Sequence, residues 1–280
     1  MAVYHGSRFE VEGTVLKNYN RLDLPASEYS RSVLRNGVKG SSDNYLLGDL
    51  DVVIPDGITE IGEFAFFCNY EIKSVTLPSS VKKIAENAFW CCRYLKVINF
   101  GGGIVEIGAY AFEGCEELEE IHLPQSLKTI GRSAFDCCGF KEVLIPEGVE
   151  IIDCNPFCGC KNLESIEVEE GNENFCAKQN CLIETRTKKL VAGCKNSIIP
   201  LDGRVEEIGE IAFFDCADLH KIVIPQSVKK IGRRPFVLCK NLTVYCQAVQ
   251  PETEWDKLWN LKKGVFFKRR HKVVWGYNQS

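Results

Sequence analysis

The stretch Ile130–Cys138, IGRSAFDCC, decides how this sequence is interpreted. It ends in two adjacent cysteines, Cys137 and Cys138, in a 280-residue chain that contains fifteen cysteines. Adjacent thiols are compatible with a metal site, with a redox centre, or with a purely structural role. If the same stretch recurs along the chain, the structural role is favoured.

The stretch is one copy of a repeat of about 23 residues. Its first residue aligns with six other isoleucines, so that the set is Ile61, Ile84, Ile107, Ile130, Ile152, Ile208 and Ile231. A phenylalanine follows five residues later in every copy, at Phe66, Phe89, Phe112, Phe135, Phe157, Phe213 and Phe236. Eight residues after the isoleucine comes Asn69 in the first copy and then Cys92, Cys115, Cys138, Cys160, Cys216 and Cys239. A fixed period of this length is typical of a solenoid whose units pack on their neighbours, so we predict a single elongated repeat domain.

Each unit contains a short strand and a turn. Leu118–Pro124, LEEIHLP, is the clearest copy of the strand pattern, because its apolar residues alternate with polar ones before proline ends the strand. We expect the strands of successive units to pair in parallel, and the A-F-x-x-C segment to form one helical or 3-10 turn. Gly101–Gly103 replaces the proline turn of one unit and needs no phosphate to explain it.

The full pattern, I-P-x-x-V-x-x-I-G-x-x-A-F-x-x-C-x-x-L, resembles the BspA-like leucine-rich-repeat family of bacteria and some protists. The resemblance implies a leucine-rich-repeat solenoid over 52–246, with a hairpin-type variant repeat at about 169–200. It also implies an N-terminal cap hairpin within 1–51 and a tryptophan-rich C-terminal cap at 247–280, in which Trp255, Trp259 and Trp275 cover the last coil. A polar insertion at 21–47 departs from the family pattern. Some family members are implicated in surface adhesion or host interaction.

The recurrent cysteine position favours a structural role over a catalytic or metal-binding one. Asn69 and the six cysteines are all small and can all bond the backbone of a turn. Two other groups leave metal or thiol chemistry open around 154–194: Cys154, Cys158 and Cys160, and Cys176, Cys181 and Cys194. Neither group has a paired C-x-x-C knuckle or a nearby histidine. The cysteines one place before the recurrent position are predicted to be more exposed and are the candidates for reactive thiols, namely Cys68, Cys91 and Cys137.

Catalytic motifs are missing from the sequence. None of the four histidines, His5, His122, His220 and His271, lies in a recognisable catalytic context, and neither a P-loop nor a G-x-G-x-x-G motif occurs. We therefore predict a non-enzymatic protein that needs no cofactor and no metal.

The outward positions of the strands form the expected binding surface of such a solenoid. The candidate binding residues on it are Lys96, Asn99, Glu119, Glu120, His122, Glu164, Glu167, His220 and Lys221. Its centre is acidic and its flanks are more basic, which suits a partner with a basic centre. The basic run Phe266–Lys272 is interpreted as a solvated edge, with contact to a phosphate or an acidic lipid surface as the alternative.

Composition limits the remaining function classes. A net charge of −4 and a pI of about 5.7 give no electrostatic case for nucleic acid, and no apolar run is long enough for a membrane span. The first fifteen residues lack the apolar segment of a secretion signal. The odd and high number of cysteines suits the reducing cytoplasm, so a cytoplasmic location is predicted. A surface location is the alternative if the sequence is part of a longer chain. We predict a scaffold that binds a protein or peptide, with a secreted or surface adhesin as the alternative and metal or thiol chemistry as the second. The oligomeric state stays open.

Overall fold

The computed structural model describes residues 9–19, 50–263 and 269–278. The predicted insertion at 21–47, His5 and the first residues of the basic run lie outside these ranges. Within them the chain forms twenty-three short strands and no helix. The strands are β1 (Phe9–Glu12), β2 (Val15–Tyr19), β3 (Leu50–Val53), β4 (Glu60–Ile61), β5 (Ile72–Thr76), β6 (Lys83–Ile84), β7 (Val97–Asn99), β8 (Glu106–Ile107), β9 (Thr129–Ile130), β10 (Glu142–Ile145), β11 (Ile151–Ile152), β12 (Ser165–Val168), β13 (Phe175–Lys178), β14 (Cys181–Glu184), β15 (Lys189–Gly193), β16 (Glu207–Ile208), β17 (Lys221–Ile224), β18 (Lys230–Ile231), β19 (Thr243–Cys246), β20 (Glu254–Trp255), β21 (Leu261–Lys263), β22 (Arg269–Arg270) and β23 (Lys272–Val274).

These strands build a β-solenoid of about nine stacked turns, as the repeat predicts. One side carries a sheet in the order β1-β2-β4-β6-β8-β9-β11, in which the strands from β4 onwards have two residues and end in the repeat isoleucine. The longer strands of the L-x-x-I-x-L pattern form a second face, in the sheets β3-β5-β7, β10-β12 and β17-β19-β23. Pairing between successive units is parallel and in register, for example Ile61 with Ile84. We call the outward side of these longer strands the strand face.

The A-F-x-x-C segment is a hydrogen-bonded turn, so the predicted helical turn was wrong. Two residues in most units have positive φ, as at Asn87 (57°) and Cys91 (56°), and this reverses the direction of alternate peptide groups. As a result the Phe89 N–H donates to the Ala111 carbonyl of the next unit at 2.8 Å, whereas the Trp90 N–H donates to the Asn87 carbonyl at 3.1 Å within its own turn. Bonds between units satisfy backbone groups that a helix would satisfy internally. We call this side of the solenoid the turn face.

The core is organised by a stack of phenylalanine rings, one from each unit. Phe89 and Phe112 are parallel within 2° at a centroid distance of 5.0 Å, and Phe66 stacks on Phe89 at 4.7 Å. Tyr19 of β2 stacks on Phe66 at 5.0 Å and so continues the column towards the N-terminus. These phenylalanines are fully buried, and each stacked pair adds about 1 kcal/mol beyond the burial of its area.

A hairpin interrupts the column between the fifth and sixth units. Strands β13, β14 and β15 pair in an antiparallel sheet, after which β15 pairs in parallel with β16. The ring of Phe213 packs against Gly193 so closely that a Cβ there would lie 2.1 Å from Cε1. The Asn155 side-chain amide donates to the carbonyls of Ile211 (3.0 Å) and Ala212 (3.1 Å), which ties the turn faces of the two units together across the hairpin.

The C-terminal end of the core is closed by tryptophans. Trp255 pairs in register with Ile231 and so occupies the isoleucine position of a further turn. Trp259 and Trp275 pack on Trp255 at centroid distances of 5.0 and 5.8 Å. The division into two caps and a solenoid at the predicted boundaries stays a prediction.

Candidate functional site

The strand face presents all nine candidate binding residues to solvent. Parallel pairing places equivalent positions of successive units side by side, as Ser74 with Val97 and Thr76 with Asn99. The nine exposed residues are Lys96, Asn99, Glu119, Glu120, His122, Glu164, Glu167, His220 and Lys221. Exposure of the whole set is necessary for the predicted surface, but their joint role in binding stays a prediction.

The centre of the strand face lacks a strand where the sequence shows its clearest copy. Residues 119–123 form no strand, although β7 precedes them and β10 follows. The alternation itself persists, because Ile121 and Leu123 are buried while His122 is exposed. Glu120 and Glu142 occupy equivalent positions of consecutive units, and like charges placed opposite each other disfavour strand pairing. Pattern alone therefore overpredicted the strand at this position.

Charges at the centre are not compensated. Glu119 and Glu120 form no ion pair with lysine or arginine within the described ranges, and the Glu120 carboxylate lies 4.0 Å from His122 Nε2. The side chains of His122 and Glu120 are 90% and 86% exposed. By contrast, Lys96 pairs with Glu117 at 3.2 Å. The strand face therefore carries an acidic centre, which we define as Glu119, Glu120 and His122.

Glu164 and Lys221, which lie away from the centre, also have partners. A bond from Lys195, at 2.9 Å, lowers the pKa of the Glu164 carboxyl. Lys221 Nζ lies 5.1 Å from the ring centroid of Tyr245 and 3.2 Å from the Tyr277 hydroxyl. Residues near the C-terminus thus pack over this end of the strand face.

The recurrent cysteines form a column of hydrogen bonds inside the solenoid. In most units the thiol donates to the carbonyl of the stacked phenylalanine in the preceding unit, as Cys138 does to Phe112 at 3.2 Å. The other donor and acceptor pairs of this kind are Cys92 and Phe66 (2.9 Å), Cys115 and Phe89 (3.4 Å), Cys160 and Phe135 (3.0 Å), and Cys239 and Phe213 (3.0 Å). Asn69 accepts bonds from the backbone of Glu71 and Ile72 instead. The structural reading of this position is confirmed by these contacts.

His271 ends the cysteine column, a role that sequence reasoning missed. Its Nε2 lies 2.8 Å from the Phe236 carbonyl, the position that a cysteine thiol takes in earlier units. The side chain is only 5% exposed, and burial lowers its pKa. Arg269, Arg270 and Lys272 are exposed, so the solvated-edge interpretation fits these three and was wrong for His271.

The candidate reactive thiols differ in exposure. Cys137 is exposed and Cys91 is half-buried, but Cys68 is buried, so its predicted exposure was wrong. The residue is exposed at the surface but its thiol is partly covered, and this partial burial, with the neighbouring Asp136 carboxylate, raises the pKa of the Cys137 thiol to about 12. The thiol is therefore a weak nucleophile at neutral pH. Asp136 is itself shifted, since burial raises its pKa to about 6.

Within the described ranges, no group of three or more Cys, His, Asp and Glu side chains is arranged to hold a metal ion. Cys154 and Cys158 donate instead to the carbonyls of Glu210 (3.3 Å) and Asn155 (3.4 Å). Cys181 and Cys194 donate to the carbonyls of Ile198 and Glu164. The described ranges also contain no helix long and apolar enough to cross a membrane.

The glycine turn at 101–103 has a packing explanation. A Cβ on Gly101 would lie 2.1 Å from the Leu77 carbonyl oxygen, and one on Gly103 would lie 2.0 Å from the Ser79 carbonyl oxygen. Gly101 and Gly102 also have positive φ. The three glycines let this unit approach the backbone of the preceding one.

The stacked strands, the phenylalanine column and the cysteine column define the protein as a leucine-rich-repeat solenoid. A family model for the BspA type leucine rich repeat region matches in six copies over residues 50–164, 94–200 and 184–247. The chain therefore belongs to the BspA-type leucine-rich-repeat family, as the resemblance implied.

Two solved structures share the fold. A leucine-rich repeat protein from Eubacterium ventriosum is 23% identical, with 72% of this chain and 62% of that one covered and a TM-score of 0.57. The pneumococcal vaccine antigen PcpA is 23% identical, with 84% and 66% covered and a TM-score of 0.56. The chain thus spans less than two thirds of the length of these proteins. A comparison with curated proteins finds no significant match.

Proposed function

We propose that this solenoid is a non-enzymatic scaffold that binds a protein or peptide through the strand face. The observation that carries the proposal is the acidic centre, where Glu119 and Glu120 are exposed and form no ion pair with lysine or arginine in the described part of the chain. A charged group on a repeat surface is usually solvated, but here several carboxylates are concentrated on one face.

Electrostatic complementarity gives the chemistry of the partner. Glu142 and Glu167 add exposed carboxylates beside the acidic centre. A segment whose middle carries lysine or arginine would place its cations against them, with faster association at low salt. The flanking positions Asn99 and Thr76 already bond each other at 3.3 Å and offer polar contacts at the edge.

Selection from a displayed peptide library tests the proposal. We expect enriched peptides to carry Lys or Arg at their centre, and their binding to fall at least tenfold with the double change Glu119→Lys and Glu120→Lys. The matched control is Glu63→Lys with Glu86→Lys, which makes the same charge change at two exposed glutamates outside the strand face. Equal loss in both double variants, or enrichment of peptides without basic residues, would contradict a specific role for the acidic centre.

A further inference from the structure

The column of residues one place before the recurrent cysteine has its own stacking geometry. It contains Cys68, Cys91, Gly114, Cys137 and Gly159 in successive units. All five have positive φ, between 50° and 76°, so their side chains leave the backbone in the same direction. A thiol here points along the solenoid towards the next unit.

Two cysteines of this column face glycines. Cys91 Sγ lies 3.3 Å from the place where a Cβ on Gly114 would be, and Cys137 Sγ lies 2.7 Å from the corresponding place at Gly159. Neither thiol therefore meets a second sulfur in the next unit. Within the described ranges, Cys68 and Cys91 are the only two cysteines of this column that lie in adjacent units.

The contact between Cys68 and Cys91 is close. The two side chains are hydrogen-bonded to each other. Their units are held together by a bond from the Cys68 N–H to the Trp90 carbonyl at 2.7 Å, and the rings of Phe66 and Phe89, two residues earlier in each unit, stack at 4.7 Å. Units at this spacing place equivalent Cα atoms about 5 Å apart, inside the range of about 4.4–6.8 Å that a disulfide spans.

Eleven of the other thirteen thiols are directed elsewhere. Ten of the fifteen donate to backbone carbonyl oxygens, and Cys137 interacts with the Asp136 carboxylate. Forming a bridge with one of those ten would break a bond to the backbone, whereas joining Cys68 to Cys91 makes their sulfur–sulfur contact covalent and gives up the side-chain bond between Cys68 and Tyr70.

We propose that Cys68 and Cys91 are an oxidation site that closes to a disulfide between the first two repeat units. The oxidant is a low-molecular-weight disulfide such as glutathione disulfide. The Cys91 thiolate, which is the more exposed of the two, attacks one of its sulfurs and releases one glutathione thiolate. Cys68 then loses its proton and attacks the Cys91 sulfur, which releases the second glutathione. Two protein thiols are oxidised and one glutathione disulfide is reduced to two thiols.

The environment sets the rate of the first step. The hydrogen bond that the Cys91 thiol makes to Cys68, together with burial, raises the pKa of Cys91 above its usual value. The thiolate is therefore scarce at neutral pH, and we expect closure to accelerate as pH rises. Neither step involves the strand face or its partner.

Thiol counting on the folded protein tests the proposal. After equilibration with excess glutathione disulfide at pH 8, we expect two of the fifteen thiols to be lost without bound glutathione, and peptide mapping to join Cys68 to Cys91. Retention of all fifteen thiols, or a bridge between other cysteines, would overturn it. The wild-type map decides the question even if a variant does not fold.

Two single substitutions sharpen the test. Cys91→Ser removes the bridge and leaves no oxidised pair. Cys137→Ser is the matched control, since Cys137 occupies the same column but faces Gly159, and this variant should still lose two thiols. If Cys137→Ser abolished closure, or if Cys91→Ser still closed a bridge, the assignment would be wrong. Thermal unfolding gives a second readout, since the oxidised wild type should melt at a higher temperature than its reduced form, and Cys91→Ser should show no such shift.

Discussion

The adjacent residues Cys137 and Cys138 allow a direct test of the architecture. Cys138 is buried and its thiol donates to the Phe112 carbonyl at 3.2 Å, whereas Cys137 is exposed. Cys138→Ala removes about 1 kcal/mol of burial for the sulfur and about 1 kcal/mol for the hydrogen bond, so we expect the free energy of unfolding to fall by about 2 kcal/mol. The Phe112 carbonyl still accepts the Cys115 N–H at 3.2 Å, so no further loss from an unpaired acceptor is expected.

The comparison variant is Cys137→Gly. Cys137 has a φ of 58°, which costs a non-glycine residue about 1 kcal/mol. Glycine removes this strain but has a similar cost in unfolded-state entropy, so we expect the free energy of unfolding to change by no more than about 0.5 kcal/mol. Gly114 and Gly159 already occupy the equivalent position. Urea unfolding followed by circular dichroism measures the stability of both variants. The slope of the unfolding free energy against urea concentration should be the same in both, so that a shift of the midpoint reports a change in stability. A Cys137→Gly loss equal to that of Cys138→Ala, or a neutral Cys138→Ala, would refute the inside–outside assignment.

Three further predictions concern packing and pH. Gly101→Ala places a Cβ 2.1 Å from the Leu77 carbonyl oxygen, so urea unfolding should show that the free energy of unfolding falls by more than about 2 kcal/mol. The Cβ of Gly102→Ala meets no atom within 4 Å, so this variant should lose only about 1 kcal/mol, because of its positive φ. Because burial raises the pKa of Asp136, the free energy of unfolding should fall as pH rises from about 4 to about 6. In unfolding measured against pH, Asp136→Asn should remove this slope and gain about 2 kcal/mol at pH 7. An unchanged slope would contradict the assignment to Asp136. The lowered pKa of His271 has the opposite effect, because the stability that the buried neutral imidazole provides is lost as pH falls below about 6.5. Melting curves of His271→Asn should therefore depend less on acid pH than those of the wild type. An unaltered dependence would contradict burial of a neutral imidazole.

Repeat periodicity predicted the interior of the protein well. Phe112 and Cys138 are defined by spacing alone, and both take the predicted inward positions because each unit must bury its apolar side against the next. The same spacing predicted the exposure of the nine candidate binding residues. Sequence alone could not show that Lys221 contacts Tyr277, since those residues are 56 positions apart.

Local pattern failed where the backbone solution depends on neighbouring units. The A-F-x-x-C segment avoids a helix because residues such as Cys91 adopt positive φ and bond across units, which spacing does not reveal. Likewise, Leu118–Pro124 has the clearest alternation but forms no strand, since pairing requires compatible partners on both sides. A signal for Cys91 was available, because glycine occupies the same position in Gly114 and Gly159.

By itself, the sequence determined the repeat, its inward-facing residues and the family. Only the tertiary structure distinguished Cys68, which is buried against Cys91, from Cys137, which faces a glycine. It also showed that His271 takes over from the cysteines at the last phenylalanine carbonyl. The physical reason is that a period specifies which side chains point inward, whereas the contacts of a thiol or an imidazole depend on the residue that the next unit places beside it.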